Sequence, residues 1–349
     1  MMIRLIGLLC VWATLAPVVG AREPAADVPV IDSLEVSALP AGRHHFYFRA
    51  GWLSTGMPIH VPVVVLKGAE PGKRLLLTAA VHGDELNGIG VIHRLLEQLD
   101  AGALSGTLVA VPGVNQLGMA ANNRRFPVSA GGGSYVDLNR NFPGTDEDTG
   151  PTAERFLGGL WQNLIKDNAD MAVDIHTQTR GTAYPLFVFA DFGNALSQQA
   201  AFLLGPDMIK NDPGQKGTLE TSLMKAGIPA VTLEVGAPKV FQADLIARAV
   251  SGIKNLMRAH KMLDGEAVMP PMRPIVGSSY TNVYTETGGV AVLHVGLKDR
   301  VEKGQHVATL YDPFGQELKR YTAPHDGWVL AVATDPLREA GTMLVRILQ

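Results

Sequence analysis

The sequence predicts an α/β protein: a mixed, largely parallel sheet with helices on both faces, followed by a small C-terminal all-β domain. Three observations predict this. Continuous apolar runs such as Arg74-Leu-Leu-Leu-Thr-Ala-Ala-Val81 alternate with helical patterns as far as residue 263, as expected of strands covered on both faces by crossover helices. After Met269-Pro-Pro-Met-Arg-Pro274 the helical period stops and short β-rich runs broken by glycine and proline take over. The composition, 46% hydrophobic and 18% charged over 349 residues, supplies ample material for a buried core.

Element by element, residues 1–21 read as a secretory signal peptide. Arg4 provides the basic start, 5–17 the apolar stretch, and Val19-Gly20-Ala21 a small-residue cleavage site. The apolar stretch is short for a stable membrane span, so export to a periplasmic or extracellular space is expected. The alternative is an uncleaved anchor. The single cysteine, Cys10, lies in this segment, so the mature chain is expected to have neither disulfides nor thiolate chemistry.

Residues 22–270 then form the main domain. Alternating runs at 45–49 and 59–66 read as β-hairpins, 74–81 as a buried strand, 87–99 as a helix and 106–111 as the next strand. Residues 114–150 are rich in glycine, asparagine and arginine with little periodicity, as functional loops often are. A helix at 154–166, strands at 171–175 and 186–190, helices at 194–204 and 217–226, a strand at 230–235 and a helix at 242–263 complete the pattern. Residues 275–349 form the second domain. The net charge of −3 gives no basic footprint for nucleic acid.

Candidate chemistry falls at strand ends, where loops and helix N-termini converge in open α/β sheets. His82 and Glu85 follow the strand 74–81, and His176 follows the strand 171–175. Two imidazoles and a carboxylate, with a fourth position left open, make a catalytic zinc set. The His-x-x-Glu pattern alone is equally compatible with a turn in which Glu85 caps the following helix. Asp174, two residues before His176, is placed to orient that ring, unless its partner is purely structural. Glu234 lies inside the apolar strand Val231-Thr-Leu-Glu-Val235, where an unpartnered carboxylate is costly. It is either a general base beside an activated water or half of a salt bridge within the sheet. The loop residues Asn122-Asn-Arg-Arg-Phe126 and Asp137-Leu-Asn-Arg140 offer donors for a carboxylate and a developing oxyanion, or else form a solvated basic loop.

Taken in order, His82-Gly-Asp-Glu85, Asp137-Leu-Asn-Arg140, Asp174-Ile-His-Thr177 and Thr232-Leu-Glu-Val235 resemble the succinylglutamate desuccinylase/aspartoacylase family of the zinc carboxypeptidase-like superfamily, over roughly residues 70–240. The resemblance implies one zinc ion per chain on His82, Glu85 and His176. It makes Glu234 the catalytic glutamate and Arg125, ahead of Arg124, the arginine that polarises the scissile carbonyl. Asn139 and Arg140 would then hold the substrate carboxylate. It further implies a barrel-sandwich-like C-terminal domain that covers the site, with a tyrosine such as Tyr280 or Tyr284 as a candidate helper. The expected activity is removal of an acyl group from an N-acyl amino acid or related carboxylate. The alternatives are a zinc carboxypeptidase acting on short peptides, including cell-wall peptides, and a non-catalytic binding protein on the same scaffold.

Overall fold

The computed structural model describes residues 28–349 apart from Asp148 and Pro271; the signal peptide expected at 1–21 lies outside the described residues. A ten-stranded sheet runs through the main domain. Its middle is parallel: Ser105–Val111, Glu70–Ala79, Met171–His176 and Ala230–Val235 lie side by side in that order. The hairpin Gly42–Trp52/Pro58–Lys67 extends one side antiparallel, as the alternating sequence there requires. On the other side Leu186–Ala190 runs antiparallel to Ala230–Val235, followed by Met208–Asn211 and Ile275–Gly277.

Helices cover both faces, and the strands' alternation decides what each face receives. Leu75, Leu77, Val173, Ile175, Val231 and Leu233 pack with the helices Asn87–Gln98, Ala195–Leu203 and Ala243–Ala259. The intervening residues Leu76, Ala172 and Ala230 join the opposite core, with Thr152–Leu160 and Leu219–Lys225. Because side chains alternate with period two, Asp174, His176, Thr232 and Glu234 fall on that second face. Polar residues therefore collect on one side of the sheet, toward the carboxyl ends of two adjacent parallel strands.

The C-terminal region is built of antiparallel sheets that do not close into a barrel. One joins Tyr280–Tyr284, Met343–Leu348, Gly327–Ala333 and Arg300–Val301; the other joins Glu317–Thr322, His306–Tyr311, Gly289–Leu293 and Leu337–Arg338. The expected boundary at 275 is not where the β unit begins. Residues Ile275–Gly277 belong to the large sheet, and the antiparallel unit starts at Tyr280. The two parts are stitched together by Thr182–Ala183, which pairs with Gly327–Ala333, and by an apolar contact of Tyr184, Phe187 and Met208 with Leu330, Ala331 and Leu348. This docking brings the strand Met343–Leu348 over the polar face of the main sheet.

Candidate active site

Each of the three candidate ligands is placed by a local backbone decision. The chain leaves Glu70–Ala79 through Ala80, whose φ of 52° lies in the left-handed region, and this swings His82 back over the strand ends. Gly83 allows the next turn: a Cβ there would sit 2.2 Å from the backbone of Gly118 and 2.7 Å from the carbonyl of Asn123. Glu85 then stands just before the helix Asn87–Gln98, and His176 ends its own strand.

The side chains converge. His82, Glu85 and His176 are all buried, with one ligand atom from each lying within 4.8 Å of the others. His82 Nδ1 is 2.9 Å from Glu85 Oε1, and His176 Nδ1 is 2.9 Å from Glu85 Oε2. The two Nδ1 atoms face each other at 3.1 Å. The outer nitrogens are engaged elsewhere: His176 Nε2 meets Asp174 Oδ2 at 2.7 Å and His82 Nε2 meets Asp137 Oδ1 at 3.1 Å. With Nε2 protonated toward Asp174 or Asp137, each Nδ1 is left to present a lone pair to a cation shared with Glu85. Two facing lone pairs and a carboxylate are what a small divalent cation requires, and zinc with tetrahedral bonds of about 2.0–2.1 Å would set its ligand atoms a little over 3 Å apart. The residues fit zinc.

The supports are themselves held. Thr78 Oγ1 donates to Asp174 Oδ1 at 2.7 Å, and the Thr177 amide donates to Glu85 Oε2 at 3.0 Å. Burial opposes charge on Asp137, but His82 and Arg124 outweigh it and hold this carboxyl well below the usual range.

A pocket of about 230 Å³ opens beside this cluster. Glu234 is 9% exposed and lines it, and among the described residues its Oε2 has no hydrogen-bond partner and its carboxylate forms no salt bridge. Burial pushes this carboxyl up to about 8, with His176 opposing. Asn139 is buried, and its Oδ1 accepts from the Leu219 amide at 2.8 Å, which directs its NH₂ group the other way. Arg140 lines the same wall, bonded to the Asn139 carbonyl at 2.6 Å.

The arginine assignment needs correction. Arg124 lines the pocket and donates to Glu85 Oε1, whereas Arg125, the one favoured by sequence, is exposed and absent from the pocket wall. Both arginines lie in the bend just before the strand Phe126–Val128, which leaves Arg124 half-buried and Arg125 exposed. The Arg124 carbonyl is also fixed, accepting from the Gly83 amide at 3.1 Å.

Several pocket residues carried no sequence signal. Gln178 is 8% exposed; its Oε1 accepts from the Thr179 amide at 2.7 Å, which leaves Nε2 pointing away. That buried Nε2 has no hydrogen-bond partner among the described residues. From the C-terminal sheet come Tyr280 and Arg346, the guanidinium standing 4.1 Å over the Tyr280 ring and donating to Asn282 and to the Tyr184 hydroxyl. Tyr284, the other candidate tyrosine, is exposed and accepts from Asn282 instead. Thr232, Glu220, Phe189 and Asp212 form the far end.

A parallel-centred sheet with a His-Glu-His cluster and a lone glutamate at its strand ends defines the class, and comparison with known proteins supplies the family. The family model described as succinylglutamate desuccinylase/aspartoacylase catalytic domain matches residues 71–260, and the chain belongs to this family. It is 28% identical over 290 residues to the N-alpha-acetyl-L-2,4-diaminobutyric acid deacetylase of Halomonas elongata, covering 80% of this chain and 82% of that one. Against the succinylglutamate desuccinylase of Pseudomonas aeruginosa it is 26% identical over 208 residues, 55% of this chain and 58% of the other. Among solved structures, the product-bound ectoine utilization protein EutE (DoeB) from Ruegeria pomeroyi shares the fold at a TM-score of 0.77 and 24% identity, covering 89% of this chain and 97% of that one. A succinylglutamate desuccinylase from Silicibacter sp. TM1040 does so at 0.76 and 22%, covering 89% and 98%.

Proposed function

We propose that the protein is an exported, zinc-dependent amidohydrolase that removes the acyl group from a small N-acyl amino acid. The observation that carries this reading is the pairing of the converging His82, Glu85 and His176 donors with the unpartnered Oε2 of Glu234 in one small pocket. The named relatives, a deacetylase and a desuccinylase, both split an acyl group from an amino acid, which supports the same class here.

Zinc held by His82, Glu85 and His176 would supply Lewis-acid polarisation of the scissile carbonyl and a water made acidic enough to attack it. Glu234 Oε2 takes a proton from the attacking water as the new C–O bond forms, and returns it to the nitrogen as the C–N bond breaks. Arg124 offers a fixed positive charge to the developing oxyanion. Gln178 Nε2 supplies a further donor to a substrate oxygen, which would satisfy an otherwise orphaned amide. The Asn139 NH₂ group and the Arg140 guanidinium receive the substrate carboxylate, Arg140 with the planar fork that suits it. Tyr280 and Arg346 close the pocket from the C-terminal sheet and keep bulk water from the reacting bond.

The test is to assay the purified chain against N-acetyl and N-succinyl amino acids alongside short peptides. Release of free amine from the acyl amino acids is expected. Cleavage of C-terminal residues from peptides, with acyl amino acids untouched, would overturn the deacylase reading in favour of a carboxypeptidase.

A further inference from the structure

The chain between His176 and the strand Leu186–Ala190 carries Gln178 into the pocket and then runs out under the C-terminal sheet. Both ends of this loop are pinned to one carbonyl. The amides of Gln178 and Tyr184 donate to Gly236, at 3.0 and 3.3 Å, just beyond the strand that bears Glu234. Between them Thr179–Thr182 form a tight turn, closed by the Thr182 amide on the Thr179 carbonyl at 3.1 Å. The Thr179 amide in that turn is the group that holds Gln178 Oε1 and so aims Nε2. Whatever fixes the turn therefore fixes the orphaned donor.

The turn is fixed from the C-terminal unit. The Gly181 carbonyl accepts from the Thr334 amide at 2.9 Å and from Arg338 Nη1 at 3.2 Å. The next two residues, Thr182 and Ala183, pair with Ala333 and Val332. Arg338 also donates through Nη2 to the Met343 carbonyl at 2.8 Å, at the start of the strand that carries Arg346. One guanidinium thus bridges the turn behind Gln178 and the strand that closes the pocket. Among the described residues its acceptors are all carbonyls, its Nε is buried without a partner, and it does not line the pocket. A partly desolvated charge with no carboxylate beside it is a poor source of stability, so the reason for it is geometric. Gly181 is shaped to admit it: its φ is 78°, and a Cβ there would stand 3.2 Å from Nη1.

Resting on the deacylase reading above, we infer that Arg338 is a positioning residue for the reaction. It acts through the Gly181 carbonyl and the Thr179–Thr182 turn to hold Gln178 Nε2 toward the substrate oxygen. The C-terminal sheet then helps to build the site as well as to cover it. Planarity is the property used, since two nitrogens in a rigid fork reach carbonyls on both units at once. An ammonium on a flexible stem meets one of them and leaves the other. The donor being steered is a neutral amide, worth about three- to tenfold in rate when correctly aimed.

The test is a double-mutant cycle in kcat/KM, run with the N-acetyl amino acid that the wild type hydrolyses fastest. Gln178→Ala and Arg338→Ala should each lower kcat/KM by about three- to tenfold with zinc content unchanged. The double variant should be no slower than Gln178→Ala alone, because the second substitution disturbs the aim of a donor already removed. Losses that multiply would overturn the inference, and so would an Arg338→Ala chain as fast as wild type. Arg338→Lys should remain slow; wild-type speed there would overturn the bridging role. Gly181→Ala strains the same contact from the opposite side and repeats the cycle should Arg338→Ala fold poorly. Amide hydrogen exchange gives a readout free of turnover: residues 178–184 should exchange faster in Arg338→Ala while 171–176 keep their protection. That pattern in a chain that hydrolyses no acyl amino acid would keep Arg338 as the support of Gln178 and overturn the deacylase. Unchanged exchange beside unchanged rates would overturn the inference and leave the deacylase intact. Unchanged exchange without turnover would overturn both.

Discussion

Asp174 Oδ2 and His176 Nε2 stand 2.7 Å apart across a single intervening residue, and this contact turns the other ring nitrogen of His176 toward Glu85. The strand makes the pairing possible, because residues two apart share a face. Asp174→Asn keeps the shape but removes the charge that fixes the proton on Nε2. Zinc affinity of this variant, measured by chelator competition, should fall by about 10- to 100-fold, the usual effect of losing a partner behind a metal ligand. Unchanged affinity would mean that Asp174 only braces the strand through Thr78.

Glu234→Gln tests the proton carrier separately from the metal. The variant keeps the size of the side chain and lies outside the ligand trio. Its zinc content should match wild type, while kcat falls by about 10²- to 10⁴-fold, the range for loss of a positioned general base. Loss of zinc together with activity would instead make Glu234 part of the metal site.

The two adjacent arginines separate cleanly. Arg124→Ala should lower kcat by about 10²- to 10³-fold through loss of a preorganised oxyanion donor. Arg125→Ala, which removes an exposed side chain, should stay within a few-fold of wild type. Because Arg124 also bonds Glu85, the zinc content of both variants must be measured beside their rates. A larger loss in Arg125→Ala would restore the assignment favoured by sequence.

Glu220 also makes stability depend on pH. Its folded carboxyl is pushed up to about 8 by burial, against an ordinary value near 4.5. The folded chain therefore holds a proton that the unfolded chain releases, and stability falls as pH rises between those two values. Glu220→Gln abolishes this contribution. The difference in thermal stability between variant and wild type should grow in favour of the variant from pH 5 to pH 8, reaching on the order of a few kcal/mol. A difference that does not change over this range would show that Glu220 is ionised in the folded chain.

What could be read from the sequence, and what could not, follows from how each signal is encoded. His176 and Glu234 stood out because each interrupts or ends an apolar run long enough to be recognised as a buried strand, and the structure brings both to the same face. The strand Met208–Asn211 was missed because four residues, two of them polar, carry too little pattern. The 114–150 segment read as irregular, yet it contains the helix Gln116–Ala120 and the small hairpin Phe126–Val128/Ser134–Val136. The two arginines lie in the bend before that hairpin, where no periodicity in the sequence distinguishes them. Glu220 and Arg346 left no signal, since a pocket formed by docking two sheets brings together residues far apart in the chain. The glutamate lies in a short helix of otherwise ordinary composition.

The central claim is that His82, Glu85 and His176 hold a metal ion that activity requires. Elemental analysis of the purified wild-type chain, beside His82→Ala and His176→Ala, tests it most directly. The account predicts about one zinc per chain in the wild type and loss of that zinc in both variants, since each removes a ligand from a three-residue set. A wild-type chain that is active without zinc, or zinc that survives both substitutions, would contradict it.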